Sequence, residues 1–277
     1  MPILVTGSTG HIGNSLCRAL IRQRRSVRAM IRPTSNRQAL QGLGVETVKA
    51  NLLSPESLTR AMEGCDVVYH AAGVNETWTA NPELDIIQPA VEGTRNILTA
   101  AQAANVKKVI YVSSVVAMGG GETYEHHRGT NDWSTNAALP YNIAKTRSEL
   151  IAHQLSEELD LPVIFVLPGL ILGRNDYKLT PSMTLISTFL KGRFPFYFDG
   201  AFTVVHVEDV VQGMLKAEMH GTRSTRYVLG GDQVTVQELF GQLAAMTKRE
   251  GPGIKLGKSS GKALAYPMKW FGQALHT

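Results

Sequence analysis

Apolar and polar positions change spacing regularly along the first two thirds of the chain. Six short candidate strands, at residues 3–6, 26–31, 45–50, 66–71, 107–113 and 162–167, alternate with stretches of helical periodicity. The runs "DVVYHA" and "PVIFVL" are continuous rather than alternating. A strand of that kind is buried on both faces, which helices packed on either side of a parallel sheet provide. The alternation of strand and helix predicts an α/β fold with a doubly wound parallel sheet. One predicted helix, over residues 85–104, contains Pro89, which should kink it.

Beyond Gly169 the pattern loosens. "PSMTLISTFLKGRFPFYFDG" predicts one helix and an aromatic loop, and "FTVVHVEDVVQGMLKAEM" a strand and a helix returning to the sheet. "STRYVLGGDQVTVQELFGQLAAMT" predicts a short strand, a turn and a helix capped by Thr235 with Glu238 three residues on. The final stretch, from "GPGIKLGKSS" to "YPMKWFGQALHT", has a glycine- and serine-rich lead and an apolar end, and reads either as a partly mobile segment or as a final helix closing over a pocket. The expected division is a nucleotide-binding domain over 1–168, to which 203–221 return, and a smaller substrate-binding region from 169–202 and 222–277.

With 277 residues and 43% hydrophobic content, the chain can bury a sizeable core. No apolar run reaches the length of a membrane span, and the start is too polar for a signal peptide. Cys17 and Cys65 are too few for a disulfide framework and sit among apolar residues, which fits a reducing cytoplasm. The net charge of +5 and the arginines near the start favour an anionic ligand. No long basic run interleaved with aromatics occurs, so nucleic acid is not expected. No metal site is expected either.

The candidate chemistry begins at "TGSTGHIG". Gly7, Gly10 and Gly13 follow a strand and enter a helix at about His11. Such a turn lets a pyrophosphate approach the backbone while the helix N-terminus aims its N–H groups at it. Where an NAD-binding chain carries an acid at the end of the second strand, this one carries Arg32. A carboxylate there repels a ribose 2′-phosphate and a guanidinium pairs with it, so NADP(H) is the expected cofactor. Arg37 is a weaker second candidate, and Arg28 falls within the strand. Tyr141 and Lys145, in "YNIAK", share a helical face. An ammonium beside a phenol stabilises the phenolate, which suits proton exchange with a carbonyl or an alcohol. A buried strand ends at Ser113-Ser114, at the carboxyl edge where α/β sheets bind ligands.

This combination resembles the extended branch of the short-chain dehydrogenases/reductases, which have a Rossmann fold. The resemblance covers roughly residues 2–245. "QPAVEGTRNIL", "VRAMIRPTSN" and "GRNDYKLTPS" are similar to dihydroflavonol 4-reductase-like members. It implies Ser114, Tyr141 and Lys145 as catalytic residues, with Ser113 the runner-up to Ser114. It implies cofactor contacts from Gly7, Thr9, Gly10, His11, Ile12, Gly13 and Arg32. Further contacts are implied from Asn51 and Leu52, from Ala71, Ala72 and Gly73, from Tyr141 and Lys145, and from Pro168, Gly169 and Ile171. Asn51 stands where the family usually has Asp. His206, in "VVHVEDVVQG", reads as structural rather than catalytic. The implied activity is NADPH-dependent reduction of a small-molecule ketone or aldehyde by a monomer or homodimer. The alternatives are a sugar-nucleotide epimerase or dehydratase with tightly held cofactor, and a non-catalytic NADP(H) sensor.

Overall fold

The computed structural model describes residues 1–74, 76, 79–121, 126–192 and 196–256. The first strand, β1 (Ile3–Thr6), is followed by α1 (His11–Arg22), then β2 (Val27–Ile31), β3 (Glu46–Lys49) and α2 (Pro55–Met62). Next come β4 (Val67–His70), α3 (Gln88–Ala103), β5 (Lys108–Val112), α4 (Pro140–Glu158) and β6 (Val163–Pro168). The remainder comprises β7 (Leu170–Leu172), α5 (Pro181–Leu190), β8 (Phe196–Phe198), β9 (Ala201–His206) and α6 (Val207–His220). It ends with β10 (Arg226–Leu229), β11 (Gln233–Thr235), α7 (Val236–Thr247) and β12 (Ile254–Leu256).

Seven parallel strands form the main sheet in the order β10-β6-β5-β4-β1-β2-β3. The six candidate strands read from the sequence are its first six strands. Every residue of β6 is buried, as expected of a strand covered on both faces. One face packs Val68, Val109 and Phe165 against Leu58, Ile97 and Ala152 of α2, α3 and α4. The other packs Val5, Ile110 and Ile164 against Leu16, Leu20, Val210 and Met214 of α1 and α6. The strand order reverses between β1 and β4, and a crevice for a ligand opens beyond the carboxyl ends of strands at such a point. The segments after β1, β2, β4 and β5 all emerge at this edge.

Two expectations are corrected. The 203–221 segment does not return as a strand and helix of the main sheet: β9 is hydrogen-bonded in a second sheet with β7 and β11, while Val205 of β9 and the buried face of α6 join the core on the main sheet. Conversely, β10, expected in the substrate region, is the seventh strand of the main sheet, paired with β6 from Arg226–Phe165 to Leu229–Pro168. A four-residue strand carries too little pattern to reveal its partner. The helix over 85–104 is not simply kinked. Residues Glu83–Ile87 form a π-helical turn that runs into α3, with Pro89 in the first α-helical turn. Proline has no N–H to offer the carbonyl four residues back, so the wider turn precedes it. The capping box of Thr235 and Glu238 is present at α7. The final stretch from residue 257 lies outside the described residues. No helix among those described is long and apolar enough to cross a membrane.

Candidate active site

The glycine turn is built by mutual exclusion. Gly7 has φ +64°, and a Cβ on it would lie 2.6 Å from the Ala71 carbonyl oxygen beyond β4. A Cβ on Gly13 would overlap the Gly7 carbonyl. Gly10 is different: of the described atoms outside its chain neighbours, a Cβ would come within 4 Å only of the Gly7 oxygen, at 3.2 Å. The Gly10 N–H already donates to that oxygen at 2.8 Å. Packing thus demands bareness at Gly7 and Gly13, whereas at Gly10 a side chain would enter the space before α1. That helix begins at Gly10 with no capping side chain and no acid in its first turn, so its positive end is available to an anion. Together with the small residues Ala71, Ala72 and Gly73 across the crevice, these features fit the pyrophosphate of a dinucleotide.

The surrounding residues lock the turn. Ser8 Oγ donates to the Met30 carbonyl at 2.7 Å. Thr9 and His11 are buried, and Ile12 is half-buried. The His11 Nε2–H donates to the Arg174 carbonyl at 2.9 Å. Burial, outweighing the opposing Asp176 carboxylate, holds His11 below the usual imidazole range. Arg18 Nη2 donates to Tyr177 Oη at 3.3 Å, so residues 174–178 lie against α1 and near the end of β2. Arg32 is exposed there and meets no carboxylate among the described residues. Lys178 titrates below the usual lysine range, chiefly through burial and then through the Arg32 cation. Two cations from segments far apart in the chain therefore share this corner. Local spacing gave no sign of Lys178.

The other expected cofactor positions are less uniform. The Asn51 side-chain oxygen accepts from Leu53 N–H at 3.2 Å, so its acceptor serves its own turn. Leu52 packs its side chain on Gly93 and gives its carbonyl to Asn96 at 2.9 Å. Pro168 ends β6, and Ile171 lies in β7 beside Val205. A Cβ on Gly169 would overlap the Thr203 carbonyl, so that glycine admits β9.

Tyr141 and Lys145 stand in the first two turns of α4, begun by Pro140 at a position that needs no N–H. Lys145 Nζ lies 5.9 Å from the centre of the Tyr141 ring and would be 3.4 Å from a Cβ on Gly73. The ammonium thus sits between the phenol and the end of β4. Beneath it, fully buried His70 is pushed down to about 3, by burial first and by Lys145 second. The Ala72 N–H donates to Thr6 Oγ1 at 3.0 Å. The Thr6 hydroxyl lies 2.9 Å from His70 Nδ1 and is free to give its own proton to that nitrogen. Ser114 is half-buried and caps a short 3₁₀ turn, Val115–Ala117, accepting from the Val116 N–H at 3.4 Å. Helix α4 packs on that turn. Ser113 is buried and donates instead to Glu149 of α4. His206 accepts the Glu208 N–H and caps α6.

The sequence reading missed Glu149 and its partner Arg226 as well as Lys178. One signal was available: Tyr141, Lys145 and Glu149 recur every four residues along α4. Among the described residues no group of three His, Cys, Asp or Glu is placed to hold a metal.

Comparison with known proteins places the chain in a family and a fold. A Synechocystis sp. protein provisionally named dihydroflavonol 4-reductase is 31% identical over 90% of this chain and 73% of its own. An anthocyanidin reductase of Vitis vinifera is 29% identical over 85% of this chain and 78% of its own. The crystal structure of gox2253 superposes with a TM-score of 0.85 at 30% identity, covering 99% of this chain and 83% of the other. The family model for the NAD dependent epimerase/dehydratase family matches residues 3–230. On that match, the chain belongs to the NAD-dependent epimerase/dehydratase family of extended short-chain dehydrogenases/reductases.

Proposed function

We propose that this oxidoreductase is an NADPH-dependent carbonyl reductase acting on a small ketone or aldehyde. The observation that carries the reading is Lys145 Nζ held between the Tyr141 ring and Gly73, at the crevice onto which the α1 N-terminus opens. A bound nicotinamide supplies the hydride. Ser114 hydrogen-bonds the carbonyl oxygen, Tyr141 gives it a proton as it becomes an alcohol, and Lys145 stabilises the phenolate left behind. In this reading Lys145 also binds ribose hydroxyls of the cofactor. Arg32 and Lys178, with no acid at the end of β2, support the preference for a 2′-phosphate. The names of the reductase relatives point the same way.

The test is loss of nicotinamide absorbance with NADPH or NADH across aldehydes, ketones, diketones and flavanonols. Stoichiometric oxidation with NADPH preferred is expected. The family name also favours an epimerase or dehydratase, which would retain its cofactor through the cycle. Purified protein carrying tightly bound NAD⁺, with no net oxidation on any carbonyl, would replace the reductase reading.

A further inference from the structure

Among the described residues the most heavily buried charge lies outside the reacting groups. Glu149 is 0% exposed, one helical turn beyond Lys145 and two beyond Tyr141. One carboxylate oxygen accepts from the Ser113 hydroxyl. The other accepts from Arg226 Nε at 2.6 Å. Arg226 is itself 7% exposed on β10. Its Nη1 donates to the Thr130 and Asp132 carbonyls at 2.7 Å each, and its guanidinium lies 4.0 Å from the centre of the Trp133 ring. His153, four residues after Glu149, stacks on Phe165 of β6 at 3.8 Å and meets Trp133 edge-on. One carboxylate thereby joins the helix bearing Tyr141 and Lys145 to the residue before Ser114. Through Arg226 it also reaches the edge strand and the 130–133 segment.

A buried ion pair is a poor source of net stability, because desolvation offsets most of its attraction and apolar residues of similar volume serve as well. Its directional bonds, however, define a geometry that apolar contacts would leave free to slide. The place where geometry matters is close by. Ser113 adjoins Ser114, and Glu149 shares a rigid helix with Tyr141, about 12 Å away along its axis. Displacement by about 1 Å of a group that positions a reaction costs about a hundredfold in rate.

We propose that Glu149, acting through Ser113 and Arg226, is a positioning residue that sets the register of α4 against the end of β5, and so the separation of the Tyr141 phenol from the Ser114 hydroxyl. The proposal rests on the reading of Ser114, Tyr141 and Lys145 as the reacting groups.

The experiment compares the full-length parent with Ser113→Ala, Ser113→Thr and Glu149→Gln. Three quantities are read: steady-state reduction of phenylglyoxal, diacetyl and taxifolin; NADPH affinity by fluorescence; and the fluorine NMR line of Tyr141 in fluorotyrosine-labelled protein, assigned by its loss in Tyr141→Phe. Ser113→Ala is expected to lower kcat about tenfold, with KM and NADPH affinity within about twofold, and to shift or broaden the Tyr141 line. Ser113→Thr, which restores the hydroxyl, is expected to recover most of kcat. Should Ser113→Ala fail to fold, Glu149→Gln is read in the same way. A folded variant with the parental kcat and an unmoved Tyr141 line overturns the proposal. If the parent reduces no carbonyl, the reductase reading falls by itself, and the fluorine line alone decides the positioning role.

Discussion

Two glycines three residues apart should respond in opposite ways to the same added methyl group. Gly13 lies in the first turn of α1, where alanine gains about 1 kcal/mol of helix propensity. Its new Cβ, however, would overlap the Gly7 carbonyl oxygen and lie 3.0 Å from Ser8 Cα. Backbone must move, and such overpacking costs about 1–3 kcal/mol or more. The net loss of up to about 2 kcal/mol corresponds to a fall in Tm of roughly 4–8 °C in a chain of this size. Gly10 is extended, with φ −88° and ψ 175°, so alanine fits its backbone. Losing glycine at this N-cap costs roughly 0.5–1 kcal/mol, about 1–4 °C. Its methyl would project before the helix N-terminus. Losing one charge-assisted hydrogen bond to a phosphate there costs about 1.5–3 kcal/mol, roughly 10- to 150-fold in affinity. Thermal melts of the apoprotein and NADPH fluorescence titration separate the two effects. Gly10→Ala with parental NADPH affinity would refute the idea that this turn cradles the pyrophosphate. Gly13→Ala with an unchanged Tm would refute the packing argument.

Other predictions follow from the same geometry. Arg32→Asp should shift the ratio of NADPH to NADH specificity by about 10- to 100-fold towards NADH, since it replaces a phosphate-pairing cation with a repelling anion. Lys178→Ala should do so more weakly, and kcat/KM for both cofactors is the measurement. Tyr141→Phe should lower kcat by about 10²- to 10⁴-fold, a far larger effect than any on NADPH affinity; parental turnover would remove Tyr141 from the proton path. His70, held near 3 when folded against 6.5 for an ordinary imidazole, stays neutral while the unfolded chain takes up a proton below about pH 6.5. Stability from this group is therefore present above that pH and falls as pH drops towards 3, by about 2 kcal/mol at pH 5. Urea titrations at pH 5 and 7.5 should show this loss in the parent and its absence in His70→Asn, whose side-chain oxygen can still accept from Thr6.

The sequence by itself determined whatever depends on neighbours along the chain. Periodicity gave the six strands, because short strand-like segments, two of them continuous apolar runs, alternate with helical spacing. Spacing gave the glycine turn, the Tyr141–Lys145 pair on one helical face and the Thr235–Glu238 capping box, because these are contacts of three or four residues' reach. Only the tertiary structure decided which distant residues meet. Ser113 and Ser114 look alike in sequence, yet one is sealed against Glu149 and the other, half-buried, caps the Val115–Ala117 turn. Gly169 is bare because Thr203, 34 residues on, presses on it, a contact that no local spacing announces. Lys178 joins Arg32, and Arg226 joins Glu149, across 146 and 77 residues of chain. Such pairings follow from how the sheet orders its strands and where loops cross its edge. That ordering is settled by the summed burial of both sheet faces, which no local window of sequence contains.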